Sequence, residues 1–268
     1  MYAAIASDLD GTLLDAHETI TPFTAATLRA AAARGVHLII ATGRHALDVQ
    51  RLIAALELPI SLITSNGARV HGCDGTLLYA DDLAAEHVRA LVQPEFAYGT
   101  RLSLYLDDGG LCCLHDGYVH RDAETGFSRQ CDDLSQHSGE GVAKLMYTAP
   151  PARLAEIEAV IRQRFGSALA LTYSRPDYLE VMAPGVSKGR ALTRLLARLD
   201  VAPAHCAAFG DGLNDVEMLQ AVGHPFRMAN ASPRLSALLP EVAEAGHHNA
   251  AGVARQVSLA LGLDIPPA

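Results

Sequence analysis

Short apolar runs alternate through the first third of the chain with stretches whose apolar residues recur every three or four positions, the signature of strands and helices in turn. Residues 3–7 predict a strand. Thr21-Pro22 reads as an N-cap with proline at the first helical position, opening a helix to about residue 34 that Gly35 closes. Residues 36–41 are continuously apolar apart from His37 and suit a strand buried on both faces of a parallel sheet. A helix over 45–56 and a strand over 62–64, ended by Ser65-Asn66-Gly67, complete a doubly wound beginning.

The rhythm returns near the end, with helices over 189–199 and 215–221 and strands over 205–209 and 225–229. Between them it changes: helices over 83–92 and 151–165 sit among strands at 101–106, 110–115, 143–147, 169–173 and 178–182, and Pro184-Gly185 offers a hinge back. The expectation is an α/β fold with a doubly wound, parallel, Rossmann-like sheet. Residues 1–82 and 184–268 would form the core, and residues 83–183 an inserted α+β cap.

Composition narrows the class. Half of the 268 residues are hydrophobic and 19% are charged, which suits a compact fold and not a disordered chain. No apolar run approaches the roughly 20 residues needed to span a bilayer, and no basic region precedes the first one, so a cytoplasmic location without a membrane partner is expected. A net charge of −9 opposes a nonspecific grip on nucleic acid. The five cysteines, Cys73, Cys112, Cys113, Cys131 and Cys206, form no Cys-x-x-Cys pair and read as reduced thiols.

Candidate chemistry gathers where apolar strands end, the place at which a parallel α/β sheet opens its ligand crevice. Asp8-Leu9-Asp10-Gly11-Thr12 follows the first strand, and two carboxylates this close call for a cation or a shared proton. Thr42-Gly43-Arg44 supplies a hydroxyl and a glycine N–H able to approach a phosphate. Lys188 stands at a helix start, where the dipole disfavours a cation, and Gly210-Asp211-Gly212-Leu213-Asn214-Asp215 adds two carboxylates and an amide after another strand.

In this order, Asp-x-Asp-Gly-Thr, Thr-Gly-Arg, the lysine and Gly-Asp-x-x-Asn-Asp resemble the haloacid dehalogenase superfamily, and the insert resembles the cap of its Cof-like phosphatases. Stretches such as Leu62-Ile-Thr-Ser-Asn-Gly67 and Asp177-Tyr-Leu-Glu-Val181 look nearest to members acting on the thiamin precursor 4-amino-5-hydroxymethyl-2-methylpyrimidine diphosphate. The resemblance implies Mg²⁺-dependent hydrolysis of a small phosphorylated metabolite through an aspartyl phosphate, with that diphosphate, pyridoxal phosphate and sugar phosphates as substrate classes. It implies Asp8 as nucleophile and metal ligand, and Asp10 as acid/base with its backbone carbonyl on the metal. Asp211 is a third ligand. Leu9, Thr42, Gly43, Lys188 and Asn214 hold the phosphoryl group or substrate, Thr12 fixes Asp10, and Asp215 either ligates or holds its neighbours. A phosphotransferase or phosphomutase, or a non-catalytic binding module, remains open as an alternative. A monomer is the default, with a homodimer as the other case. His45 is expected at solvent or as a helix cap, Asn66 equally as site contact or plain turn, and Tyr178 and Glu180 as ordinary strand residues.

Overall fold

The structure is a computed structural model that describes residues 2–114 and 128–265. Along the chain, β1 (Ala4–Ser7), α1 (Pro22–Ala33), β2 (His37–Ala41), α2 (Ala46–Ile53), β3 (Ile60–Thr64), β4 (Arg69–His71) and β5 (Leu77–Ala80) come first. Next are α3 (Ala85–Leu91), α4 (Pro94–Ala97), β6 (Arg101–Leu106), β7 (Gly109–Leu114), β8 (Ser128–Gln130), β9 (Lys144–Thr148), α5 (Pro151–Phe165), β10 (Ala170–Arg175) and β11 (Tyr178–Met182). The chain continues through α6 (Lys188–Arg198), β12 (Cys206–Gly210), α7 (Val216–Gln220), β13 (His224–Arg227), α8 (Pro233–Leu238), β14 (Ala243–Glu244) and α9 (Gly252–Leu261). The strand expected over 110–115 ends in a residue, His115, outside the described ones.

Contacts divide the chain into two compact units, one of residues 1–43, 50–79 and 187–268, the other of residues 44–49 and 80–186. The first holds a sheet of order β14-β13-β12-β1-β2-β3-β4-β5. Neighbours from β14 to β3 run parallel, and β4 turns back antiparallel on β3. Every residue of β1 is buried, as a central strand covered on both faces requires. Its side chains alternate, so Ala4 and Ala6 join Ile39, Ala41 and Ile63 under α6 and α7, which bring Leu192, Leu195, Met218 and Leu219. Small alanines let those helices sit close. Thr21 caps α1 as expected, its hydroxyl accepting the Thr24 N–H at 3.2 Å, and Thr27 of α1 meets Ser258 of α9 with hydroxyl oxygens 3.3 Å apart. The shortness of β4, β5 and β14 and the weak periodicity of α8 kept these elements out of the sequence reading.

The second unit carries a mixed sheet of order β10-β11-β9-β6-β7-β8, antiparallel except for β7 with β8. One face supplies Leu102, Leu104, Leu145, Tyr147, Leu179 and Val181 to an apolar core completed by Val88 and Leu91 of α3 and Leu154, Ile157 and Ile161 of α5. Among the intervening positions a buried polar group stands out: Lys144 Nζ lies 3.0 Å from Glu180 Oε2 and 4.1 Å from the centre of the Tyr105 ring. Residues 44–49 join this unit through His45, whose Nδ1 accepts the Leu47 N–H at 3.1 Å, so that Nε2 carries the proton given to the Leu106 carbonyl at 2.5 Å. His45 is therefore a helix cap, and a buried one, not a solvent-exposed one. Burial lowers its pKa. Among the described residues no helix is long and apolar enough to cross a membrane.

Candidate active site

β1 and β12 lie side by side, and their carboxyl ends deliver the two acidic motifs to one place. Asp8 continues the ladder, its N–H donating to Phe209 O at 3.0 Å, while the Ser7 hydroxyl donates to the Asp8 carbonyl at 2.7 Å. The chain then turns sharply. Asp10 (φ −74°, ψ 123°) and Gly11 (φ 72°, ψ 4°) have the angles of a type II turn, whose second central residue must tolerate positive φ. This turn leaves Asp8 buried and Asp10 exposed, so two carboxylates two residues apart meet different surroundings.

Lys188 is the first residue of α6, which Ser187 caps by accepting the Arg190 N–H at 3.1 Å. Its ammonium is wholly buried, 2.7 Å from Asp8 Oδ1 and 2.7 Å from Asp215 Oδ1. Burial alone would pull its pKa down, but the carboxylates of Asp215 and Asp8 outweigh that and raise it. Those two anions explain a cation at the wrong end of a helix. Asp215 Oδ2 accepts the backbone N–H groups of Asp211 and Gly212, both at 2.9 Å, so its two oxygens tie Lys188 to the loop after β12. Thr12, expected to fix Asp10, donates instead to Asp211 Oδ1 at 3.1 Å. The turn brings its hydroxyl across to the neighbouring strand's loop, a pairing that spacing along the chain does not reveal.

On the other side of β1, the Thr42 N–H donates to Ile63 O at 2.8 Å and its carbonyl accepts the Asn66 N–H at 3.0 Å, an arrangement that buries the threonine. Ser65 (φ 49°) and Asn66 (φ 56°) both adopt the left-handed conformation, a strained stretch of the kind found at functional sites. Asn66 is buried and its Oδ1 accepts from Asn214 Nδ2 at 3.0 Å, so the two loops are joined. Gly67 (φ 102°) lets this turn pack against the start of α6, because a Cβ there would lie 2.3 Å from the Ser187 carbonyl oxygen. Asp8, Asp211, Asp215, Lys188 and Thr12 are thus gathered by direct bonds, and Thr42 and Asn214 are joined to each other through Asn66. Ser7 was missed. A polar residue ending an apolar run was the available signal.

Asp8, Asp211 and Asp215 each place a carboxylate oxygen within 4.8 Å of the others, and Lys188 sets one positive charge against the three. The imbalance shows in the proton affinities of Asp8 and Asp211. Burial raises the Asp8 pKa well above the ordinary range; Lys188 opposes this, and the carboxylates of Asp215, Asp211 and Asp10 add to it. Burial and Asp215 likewise push Asp211 up to about 6, against Lys188 and the Thr12 hydroxyl. A hard divalent cation such as Mg²⁺ fits this donor set, since carboxylate oxygens are its preferred ligands and its charge would allow the cluster to remain ionised at neutral pH.

Comparison with known proteins agrees with this geometry. Residues 5–257 match the family of haloacid dehalogenase-like hydrolases. A protein of Haemophilus influenzae is 38% identical over 98% of each chain, and an HMP-PP phosphatase of Cronobacter sakazakii is 35% identical over 94% of this chain and 93% of its own. Among solved structures, a haloacid dehalogenase-like hydrolase from Bacteroides thetaiotaomicron superposes with a TM-score of 0.82 at 21% identity, covering 97% of this chain and 100% of that one, a likeness of fold. The chain therefore belongs to the haloacid dehalogenase-like hydrolases, among their Cof-type members, and is a phosphatase.

Proposed function

We propose that the protein hydrolyses small phosphorylated metabolites by attack of the Asp8 carboxylate on phosphorus, with HMP-PP as the first substrate to test. The observation that carries the reading is the buried ammonium of Lys188, held 2.7 Å from both Asp8 and Asp215. It orients Asp8 through Oδ1 and leaves a cation beside the position where phosphoryl charge develops. A buried carboxylate this close to other anions is poor structural material and is better explained by chemistry. The choice of HMP-PP rests on the name borne by relatives at about a third identity.

Asp8 forms an aspartyl phosphate as the bond to the leaving oxygen breaks, and water then cleaves the acyl phosphate and regenerates the carboxylate. Asp10, exposed on its turn, gives a proton to the leaving oxygen and then accepts one from that water. Lys188, the Thr42 hydroxyl and the N–H groups of Leu9 and Gly43 hold the phosphoryl oxygens. Asp8, Asp211 and the Asp10 carbonyl would hold Mg²⁺, whose charge offsets the repulsion between a phosphate dianion and the nucleophile. Asp215, with its oxygens occupied by Lys188 and two N–H groups, acts by holding Lys188 and Asp211, and Asn214 holds Asn66. The unit of residues 44–49 and 80–186 is assigned the choice of leaving group.

Asp8→Asn tests the core of the proposal. The amide is nearly isosteric but is neither nucleophile nor anion, so phosphate release across a panel of HMP-PP, pyridoxal phosphate, flavin mononucleotide and hexose phosphates should fall below about a hundredth of wild type, with circular dichroism unchanged. Turnover above that level in folded protein would remove Asp8 from the mechanism. A panel in which HMP-PP is not among the preferred substrates would remove that choice alone.

A further inference from the structure

The turn that carries Asp10 is held by a segment that no catalytic motif covers. Asn230 follows β13, and its Nδ2 donates to the Gly11 carbonyl at 2.7 Å while its Oδ1 accepts the His248 N–H at 3.0 Å. His248 Nδ1 lies 2.9 Å from the Leu14 carbonyl, and because a carbonyl only accepts, that nitrogen bears the proton. The Ala16 N–H donates to Asn249 Oδ1 at 2.7 Å. Asn230 and residues 248–249 therefore grip the loop after Asp8 at three points, Gly11, Leu14 and Ala16. The same segment holds the second acidic loop, since the Met228 N–H donates to Gly210 O at 3.0 Å and the Ser232 N–H to Asp211 O at 2.9 Å.

Of these bonds, the one at Gly11 stands closest to chemistry. Asp10 and Gly11 are the two central residues of the turn, and a type II turn differs from type I by a flip of the peptide between them. The Gly11 carbonyl belongs to the next peptide, Gly11–Thr12, so the Asn230 bond restrains the glycine's ψ and anchors the end of the turn whose other central residue is Asp10. We propose that Asn230 is a positioning residue for Asp10, holding the turn in the form that aims the Asp10 carboxyl at the leaving oxygen. The inference rests on the acid role proposed above for Asp10.

A misaimed acid hurts most where the leaving group most needs a proton, whereas a generally loosened site hurts every substrate alike. The experiment measures kcat/KM of the full chain with Mg²⁺ for p-nitrophenyl phosphate and for phenyl phosphate, whose leaving group is more basic. Asn230→Ala, Asn230→Asp, Asp10→Asn and the double variant Asp10→Asn/Asn230→Ala are compared with wild type. Asn230→Asp keeps the volume and the acceptor for His248 but loses the donor to Gly11, so it reports even where the alanine variant folds poorly. The ratio of kcat/KM between the two esters should rise about tenfold in both Asn230 variants, a part of the 10²–10⁴ that a positioned acid supplies. The double variant should show no higher ratio than Asp10→Asn alone. Equal losses on both esters, or a further rise in the double variant, would overturn the positioning role. If Asp10→Asn itself leaves the ratio unchanged, the acid assignment fails first, and that control distinguishes the two failures.

Discussion

Replacing Gly11 by alanine puts one methyl group into the site, and its cost can be worked from the coordinates. Gly11 has φ 72°, and a Cβ there would stand 2.5 Å from Asp211 Oδ2 and 3.0 Å from Asp211 Cγ. A left-handed conformation costs a non-glycine residue about 1–2 kcal/mol, which for a chain near this size is about 2–8 °C in Tm. The contact adds a catalytic effect. Carbon and oxygen separate to roughly 3.5 Å, so the Asp211 carboxylate must withdraw by about 1 Å. It cannot simply swing away, because Thr12 holds its Oδ1 at 3.1 Å and Asp215 holds its backbone N–H at 2.9 Å. A displacement of about 1 Å in a positioned group is worth on the order of a hundredfold in rate. Gly11→Ala should therefore lower kcat for p-nitrophenyl phosphate about a hundredfold and raise the Mg²⁺ concentration needed for half-maximal activity, while a thermal melt shows the modest loss above. Folded protein with kcat within about threefold of wild type and unchanged Mg²⁺ dependence would refute the argument that Asp211 must stand where it does.

Other outcomes follow from the same geometry. Asp8 and Asp211 have folded-state pKa values above their unfolded ones, Asp211 at about 6, so the stability they contribute is present at low pH and lost as pH rises through the folded values. Metal-free protein should lose on the order of 3 kcal/mol at most from Asp211 between about pH 4 and 7, and the gain in Tm on adding Mg²⁺ should grow over that window. A gain independent of pH, or one unchanged in Asp211→Asn, would contradict the assignment. Lys188→Met should lower kcat by roughly 10²–10³ and make folding more dependent on Mg²⁺, because three carboxylates then face one another without the buried cation. A melt insensitive to Mg²⁺ would count against this. In the second unit, Lys144→Met should cost about 3–5 kcal/mol by stranding buried Glu180, whereas Lys144→Met with Glu180→Leu should recover most of it. Equal melting temperatures for the two would show that the ion pair is not what the single change breaks.

The local chemistry of the fold was legible in the sequence because short-range rules govern it. The Thr21-Pro22 start of α1, the buried run of β2 and the placing of Asp8, Thr42, Lys188 and Asp211 at element ends required only periodicity and capping preferences. The short strands β4, β5 and β14 were not legible, since a strand of two to four residues is formed by its neighbour and not by its own composition. His45 shows the same limit. A histidine after an arginine at a helix start reads as solvent-exposed or as a cap, and only the fold, which brings the Leu106 carbonyl to its Nε2, makes it a buried cap.

At the site, the sequence determined which groups are present and at which strand ends, because Asp8, Asp10, Lys188 and the acidic loop each sit in a recognisable local context. Tertiary structure decided who holds whom. Lys188 spans 180 positions to reach Asp8, Thr12 spans 199 to reach Asp211, and Asn230 spans 219 to reach Gly11. None of these distances has a counterpart in local periodicity, because strands adjacent in the sheet, β1 and β12, are far apart in the chain. Proton affinity was settled at the same level: the Asp8 carboxyl is held well above the ordinary range because the fold removes water from it.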